Sequence, residues 1–296
     1  QYNDSSGIII GPGDDSALFL ANKSDLIFST DVSNADIHFP KTLAPNEIAY
    51  RACCVAASDI PACGGTLKWL SIGLVTPSKE LVWLKDFARG LKLFTKTYQV
   101  PIIGGDLVKG RECSVSVGVC GEVNHKDFIS RNGAKVGDSI YVSGVLGIAK
   151  LGLKAIQAKK KNLNIEEKKH AKKFLQPKVH TLLGKNLRNI ASSCIDISDG
   201  LLGDLGHICQ QSNLGAEINI DLIPYKGPFK DALTWGDDYE LCFTVPKNKE
   251  PKLSQLCKKL KFKKFKIGEM TSRKGIKIYQ DKKEIFIRDK SYNHLS

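Results

Sequence analysis

Residues Ile195-Asp196-Ile197-Ser198-Asp199-Gly200-Leu201 set two carboxylates three positions apart with a hydroxyl between them, where a short apolar strand ending in Cys194 and Ile195 gives way to a helix. Leu201, Leu202, Leu205, Ile208 and Cys209 signal that helix by their i, i+3, i+4 recurrence. Ser198 reads as its N-cap, and a carboxylate beside the first turn suits the positive end of the helix dipole. Asp196 precedes the cap and is not needed for it, so capping alone does not account for the pair. Comparable acidic positions recur. Gly11-Pro12-Gly13-Asp14-Asp15-Ser16 is a glycine-rich turn, and a strand at 26–28 runs into Ser29-Thr30-Asp31. Asp59 follows a helix expected over 45–58, at the end where the dipole disfavours an anion. Val100-Pro101-Ile102-Ile103 enters Gly104-Gly105-Asp106, whose glycines permit close approach of a ligand to the backbone. Trp235-Gly236-Asp237-Asp238-Tyr239-Glu240 is a further acidic turn, entering a strand at 241–245.

Each of these motifs alone is also what an ordinary turn, cap or ion pair looks like. As a series they ask for a cation. Asp15, Asp31, Asp59, Asp106, Asp196 and Asp199, gathered without one, would repel and raise one another's pKa. Hard oxygen donors without clustered His or Cys favour magnesium over zinc, and magnesium commonly bridges a few carboxylates to substrate phosphates. Phosphoryl transfer is the matching reaction class, since it needs mainly positioning and charge neutralisation. Neither a Walker lysine motif nor a protein-kinase signature is present. Gly144-Val145-Leu146-Gly147 before a helix at 148–157 is a weak phosphate-cradle pattern that matches neither a P-loop nor a dinucleotide fingerprint.

The elements that must carry these residues follow from patterning. The 296 residues suit two domains, with the boundary in the turn-rich stretch Arg131-Asn132-Gly133-Ala134-Lys135-Val136-Gly137-Asp138, giving 1–132 and 133–296. Strands are expected at 67–75 and 115–119 and a helix over 79–98 in the first, with strands at 139–142, 216–220, 264–267 and 276–279 and a helix at 178–190 in the second. That is an α/β, or α+β, chain. Hydrophobic residues at 42% and charged residues at 25% are those of a globular protein. The nine cysteines lack paired metal spacing and read as reduced, buried thiols. Without a membrane-span or signal-peptide pattern, a cytoplasmic protein with no membrane partner is expected. The net charge of +13 lies in lysine runs such as Lys159-Lys160-Lys161 and Lys258-Lys259 without interleaved aromatics, which read as solvated faces, so no nucleic-acid partner is expected.

The runs GDDSA, FSTDVSNADIHF, AASDI, IIGGD, SRNGAKVGD, IDISDGLLGDLGHI and DDYELCFTV, in that order, resemble bacterial thiamine-monophosphate kinase, of the aminoimidazole-ribonucleotide synthetase superfamily. The likeness spans nearly the whole chain. It implies a two-domain fold of that superfamily and a homodimer joined through its N-terminal sheets. It also implies ATP and magnesium bound in a cleft that the C-terminal domain completes, with thiamine monophosphate as acceptor. By motif position the resemblance assigns metal ligands to Asp15, Ser29, Thr30, Asp31, Asp59, Asp106, Asp196 and Asp199. It assigns ATP contacts to Gly105, Asp106, Arg131 and Ser198, and thiamine-phosphate contacts to His38, Asp237 and Tyr292. No covalent catalytic nucleophile is implied. At Asp237 the family usually carries glutamate, so the side chain here is one methylene shorter. The alternatives are another ATP-dependent member of the superfamily or, from a different class, a basic nucleic-acid-binding protein.

Overall fold

The computed structural model describes residues 8–10, 18–19, 25–158, 160 and 162–287. The chain divides into two compact units. The first comprises Gln1–Pro61, Gly65–Lys126 and Leu175–Thr181, and the second Ala62–Gly64, Asp127–Phe174 and Leu182–Ser296.

In the first unit β1 (Ile8–Ile10) and β2 (Leu18–Phe19) form a small antiparallel pair. The main sheet is built from β3 (Asp25–Asn34), α1 (Pro45–Ala62), β4 (Thr66–Thr76), α2 (Leu81–Tyr98), β5 (Ile102–Lys109) and β6 (Ser114–Val123). Its strand order is β3-β6-β4-β5, with β4 and β5 parallel and the other pairs antiparallel. Strand alternation gives the sheet two unlike faces. Val115, Val117 and Val119 are buried, as are Leu70, Ile72 and Leu74 on β4. On the other face lie Leu26, Phe28 and Val32, which are 46%, 71% and 47% exposed. A Cβ added at Gly118 would lie 3.3 Å from the Phe28 ring, which fixes that ring over β6.

The helices cover the buried face. Ile60 of α1 reaches both Ile27 and Gly121, since its Cγ2 would stand 2.4 Å from a Cβ at Gly121. The small residues Ala49, Ala52, Cys53, Ala56 and Ala57 let α1 pack closely. A Cβ on Gly90 of α2 would come within 2.1 Å of the Asn46 carbonyl, so the two helices meet backbone to backbone. Phe94 fills the adjoining space edge-on to Tyr50, with 6.0 Å between ring centroids, and burying such a ring is worth about 1.5–3 kcal/mol.

The second unit continues with β7 (Ser139–Val142), α3 (Ile148–Gln157), α4 (Ile165–Leu175), α5 (Thr181–Leu187), β8 (Ser193–Asp196), α6 (Leu201–Gln211), β9 (Gly215–Asn219) and α7 (Phe229–Thr234). After these come β10 (Leu241–Val245), α8 (Glu250–Leu260), β11 (Phe265–Thr271), β12 (Gly275–Gln280) and β13 (Lys283–Ile285). Seven strands make one mixed sheet in the order β13-β12-β9-β11-β7-β10-β8, in which only β9 and β12 run parallel. Alternate residues feed two cores, as expected of a sheet buried on both faces. Ile140, Val142, Ile195 and Cys242 join α6 and α7 on one side. Tyr141, Cys194, Leu241, Phe243 and Val245 join α5 and α8 on the other. All nine cysteines are free thiols, and burial pushes the Cys53 thiol up to about 12.

Several expected boundaries move. Helix α1 continues through Asp59 to Ala62, so that aspartate stands within its last turn, not after it. Asp31 and Asp106 sit inside β3 and β5, not at strand ends, because pairing with β6 and β4 carries those strands past the polar residues. Lys168, Lys169, Lys172 and Lys173 lie on α4, in which Ala171 and Phe174 are buried.

Candidate active site

In the first unit Ser29, Thr30 and Asp31 are consecutive on β3. The Ser29 hydroxyl donates to Asp59 Oδ2 at 2.5 Å, joining the strand to the last turn of α1. That turn contains no basic residue, so the helix end adds a negative dipole to the Asp59 charge. Asp106 stands elsewhere on the sheet. Strands β3 and β5 are the two edges, separated by three strand spacings of about 4.8 Å, so Asp31 and Asp106 are roughly 14 Å apart within this unit. Gly105 runs against β4 so closely that a Cβ would lie 2.0 Å from the Ile72 carbonyl oxygen. Asp106 is exposed, and its Oδ1 accepts from the Leu107 N–H at 2.8 Å. His38 closes a turn beyond β3, where its Nδ1 accepts from the Asn34 N–H at 3.0 Å; that bond puts the ring proton on Nε2. Asp15 and Tyr292, assigned to metal and to substrate, lie outside the described residues.

In the second unit β8 delivers Asp196, buried, to a loop whose backbone is held on both sides. The Ile197 N–H donates to the Glu240 carbonyl at 2.7 Å, while the Ile197 and Ser198 carbonyls accept from Tyr239 and Asp237 N–H groups, both at 2.9 Å. A Cβ on Gly236 would be 2.0 Å from the Ser198 carbonyl oxygen, and Gly236, Asp237 and Tyr239 all have positive φ, of 90°, 63° and 49°. The 236–240 turn is therefore pressed onto the Ser198 loop. It brings together Asp196, Ser198, Asp199 and Asp237. Arg131 is not among them: its carbonyl accepts from the hydroxyl of Ser212 at the opposite end of α6, an 11-residue helix of about 16 Å.

Three buried acids, Asp204 and two members of the acidic 235–240 turn, were not assigned to the site by the sequence. Ser198 was expected to cap α6, but the N-cap is Gly200 at φ 110° and no side chain caps there. Asp204, 2% exposed, reaches back instead, accepting the Asp199 N–H on Oδ2 at 3.1 Å. Burial first, then the charges of Asp196 and Asp199, push its carboxyl up to about 8. Asp238, 1% exposed, accepts from Gly147 and Ala149 N–H groups at 2.6 and 3.2 Å, and burial holds it at about 7. The glycine-rich start of α3 is thus turned to an internal carboxylate and not to a phosphate. Glu240 accepts from Lys173 Nζ and the Ser143 hydroxyl, both at 2.6 Å. A Cβ at Gly144 would come within 2.4 Å of that carboxylate.

Among the described residues, no group of three or more His, Cys, Asp and Glu side chains is disposed to hold a metal ion unaided. Magnesium takes only one or two protein carboxylates and fills its shell from water and substrate phosphates. The all-oxygen sets at Ser29-Asp31 with Asp59, and at Asp196 with Asp199, fit that demand.

Residues 13–123 match AIR synthase related protein, N-terminal domain, and residues 135–281 match AIR synthase related protein, C-terminal domain. The thiamine-monophosphate kinase of Buchnera aphidicola (subsp. Schizaphis graminum) is 38% identical over 97% of this chain and 93% of its own length. The chain belongs to the thiamine-monophosphate kinase family. The fold agrees: the crystal structure of that kinase from Stenotrophomonas maltophilia K279a superposes with a TM-score of 0.86 at 31% identity, covering 94% of this chain and 92% of that one. A solved complex of AaThiL with AMPPCP and TMP gives 0.82 at 29% identity, covering 95% and 91%. Among the described residues of this kinase-family chain, no helix is long and apolar enough to cross a membrane.

Proposed function

We propose that the chain transfers the γ-phosphoryl group of ATP to thiamine monophosphate, giving thiamine diphosphate, in a magnesium-dependent reaction without a phosphoenzyme. The observation that carries this reading is the join between the Ser198 loop and the 236–240 turn. Asp237, assigned to the thiamine phosphate, is tied through its N–H to the carbonyl of Ser198, assigned to ATP, at 2.9 Å. Residues for acceptor and donor thus share one rigid backbone. The full-length likeness to relatives bearing the kinase name supports the same reading.

Asp237 would orient the acceptor, and His38, whose Nδ1 accepts from the Asn34 N–H, would contact it. Gly105 would let a nucleotide approach the backbone, while Arg131, assigned to ATP, would have to reach it from the far end of α6. Magnesium, when bound, supplies charge neutralisation and Lewis-acid polarisation; Asp15, Ser29, Thr30, Asp31, Asp59, Asp106, Asp196 and Asp199 are the residues that would hold it. The acceptor oxygen is largely ionised near neutral pH, so no strong general base is needed. A homodimer through the open face of the first unit's sheet, where Leu26, Phe28 and Val32 stand exposed, completes the proposal.

The test is ATP turnover with and without thiamine monophosphate and magnesium. Formation of thiamine diphosphate only when both are present is expected, and turnover indifferent to thiamine monophosphate would overturn the reading. With ATP made chiral at its γ-phosphorus, direct transfer inverts configuration, and retention would rule it out.

A further inference from the structure

The 197–199 loop invites a complete hydrogen-bond account, because buried backbone groups are almost always paired. The Ile197 N–H and the Ile197 and Ser198 carbonyls are taken by the 236–240 turn. On the opposite side, Asp204 Oδ2 accepts the Asp199 N–H at 3.1 Å. We infer that Asp204 is a positioning residue for phosphoryl transfer: its buried side chain holds the Asp199 amide and so fixes the direction in which the Asp196 and Asp199 carboxylates are offered to a cation.

The chemistry of the position argues against a purely structural role. Asp204 occupies the apolar stripe of α6 between Leu201 and Leu205, both fully buried, where a hydrophobic residue would serve packing better. An exposed Ser or Asn at the cap position satisfies helix amides without burying a third carboxylate beside Asp196 and Asp199. From α6 the Asp204 side chain reaches back to the Asp199 amide, where no side chain caps the helix start.

This inference rests on the proposed kinase reading, and its test separates the two. Asp204→Leu, which removes the acceptor while keeping an apolar side chain in the α6 stripe, is compared with the wild-type chain in steady-state turnover as a function of magnesium, and in Mn²⁺ titrations with ATP followed by the electron paramagnetic resonance of the free ion. The expected result is unchanged circular dichroism, kcat at least tenfold lower, an apparent magnesium requirement raised at least fivefold, and Mn²⁺ binding weakened to match. KM for thiamine monophosphate should move less than kcat. A folded variant with kcat and Mn²⁺ affinity both within twofold of wild type overturns the positioning role. If Asp204→Leu does not fold, Asp204→Glu, which displaces the carboxyl by one methylene, carries the same comparison. Wild-type chain without thiamine-dependent turnover would sink the kinase reading, and the Mn²⁺ comparison would still decide the role of Asp204.

Discussion

Asp238 offers the sharpest quantitative test of the second unit. Its carboxylate is 1% exposed, and burial lifts it from an ordinary 3.8 to about 7, against the opposing pull of two backbone amides and Lys173. Between those values the folded chain keeps a proton that the unfolded chain has released. Stability from this group is therefore fully present below pH 3.8 and declines as pH rises through about 7. At 1.36 kcal/mol per pH unit the decline is about 3 kcal/mol between pH 4.5 and pH 8.5. Asp238→Asn removes the titration. It also leaves one of the two α3 amides without an acceptor, a fixed cost of about 1–3 kcal/mol. Urea denaturation of both proteins, without nucleotide or metal, should find the variant weaker at pH 4.5. The difference should shrink with pH, and the two stabilities should meet or cross before pH 8.5. A difference constant to within about 0.5 kcal/mol across that range would mean that Asp238 stays ionised throughout and that the two amides and Lys173 outweigh its burial.

Asp59→Asn should abolish transfer while leaving circular dichroism and melting unchanged; activity within about tenfold of wild type, or ~1.4 kcal/mol, would contradict a metal-binding role. Gly144→Ala drives a methyl into the Glu240 carboxylate, 2.4 Å away, and should destabilise the chain by about 1–3 kcal/mol in urea denaturation; unchanged stability would show that Glu240 and Lys173 can shift. Light scattering should give twice the 32.5 kDa chain mass, with Phe28→Glu shifting the protein to monomer, and a wild-type monomer at micromolar concentration would refute the dimer.

The fold was legible where period and punctuation agree. The β7 and β10 strands, at Ser139–Val142 and Leu241–Val245, and α3 at Ile148–Gln157 coincide with their sequence readings, because short apolar runs there end at glycine, proline or acidic turns. The acidic positions were visible as residues but not as placements. Asp31 and Asp106 read as strand ends because local polarity says so, whereas sheet pairing, a non-local effect, carries β3 and β5 past them. Asp204 did carry a signal, an acid inside the leucine stripe of α6. Asp238 and Glu240 were visible as members of the acidic 235–240 turn but their roles were not, because their partners, Gly147 and Ser143, are more than 90 residues away in sequence.

The left-handed backbone at Asp237 bears on which side chain the turn can hold. At φ 63° a β-carbon crowds the following carbonyl, and Asp and Asn tolerate this several-fold better than most residues because their short polar side chains bond locally. A glutamate at this position would gain reach toward a ligand and give up some of that local ease. Here the balance tips the other way, with the Tyr239 hydroxyl donating to Asp237 Oδ1 at 3.3 Å and holding the carboxylate near its own backbone. The chain thus exchanges length for rigidity at the residue assigned to its acceptor. An aspartate that arrives already oriented loses little rotamer entropy on engaging that acceptor, but has little freedom to follow one of a different shape.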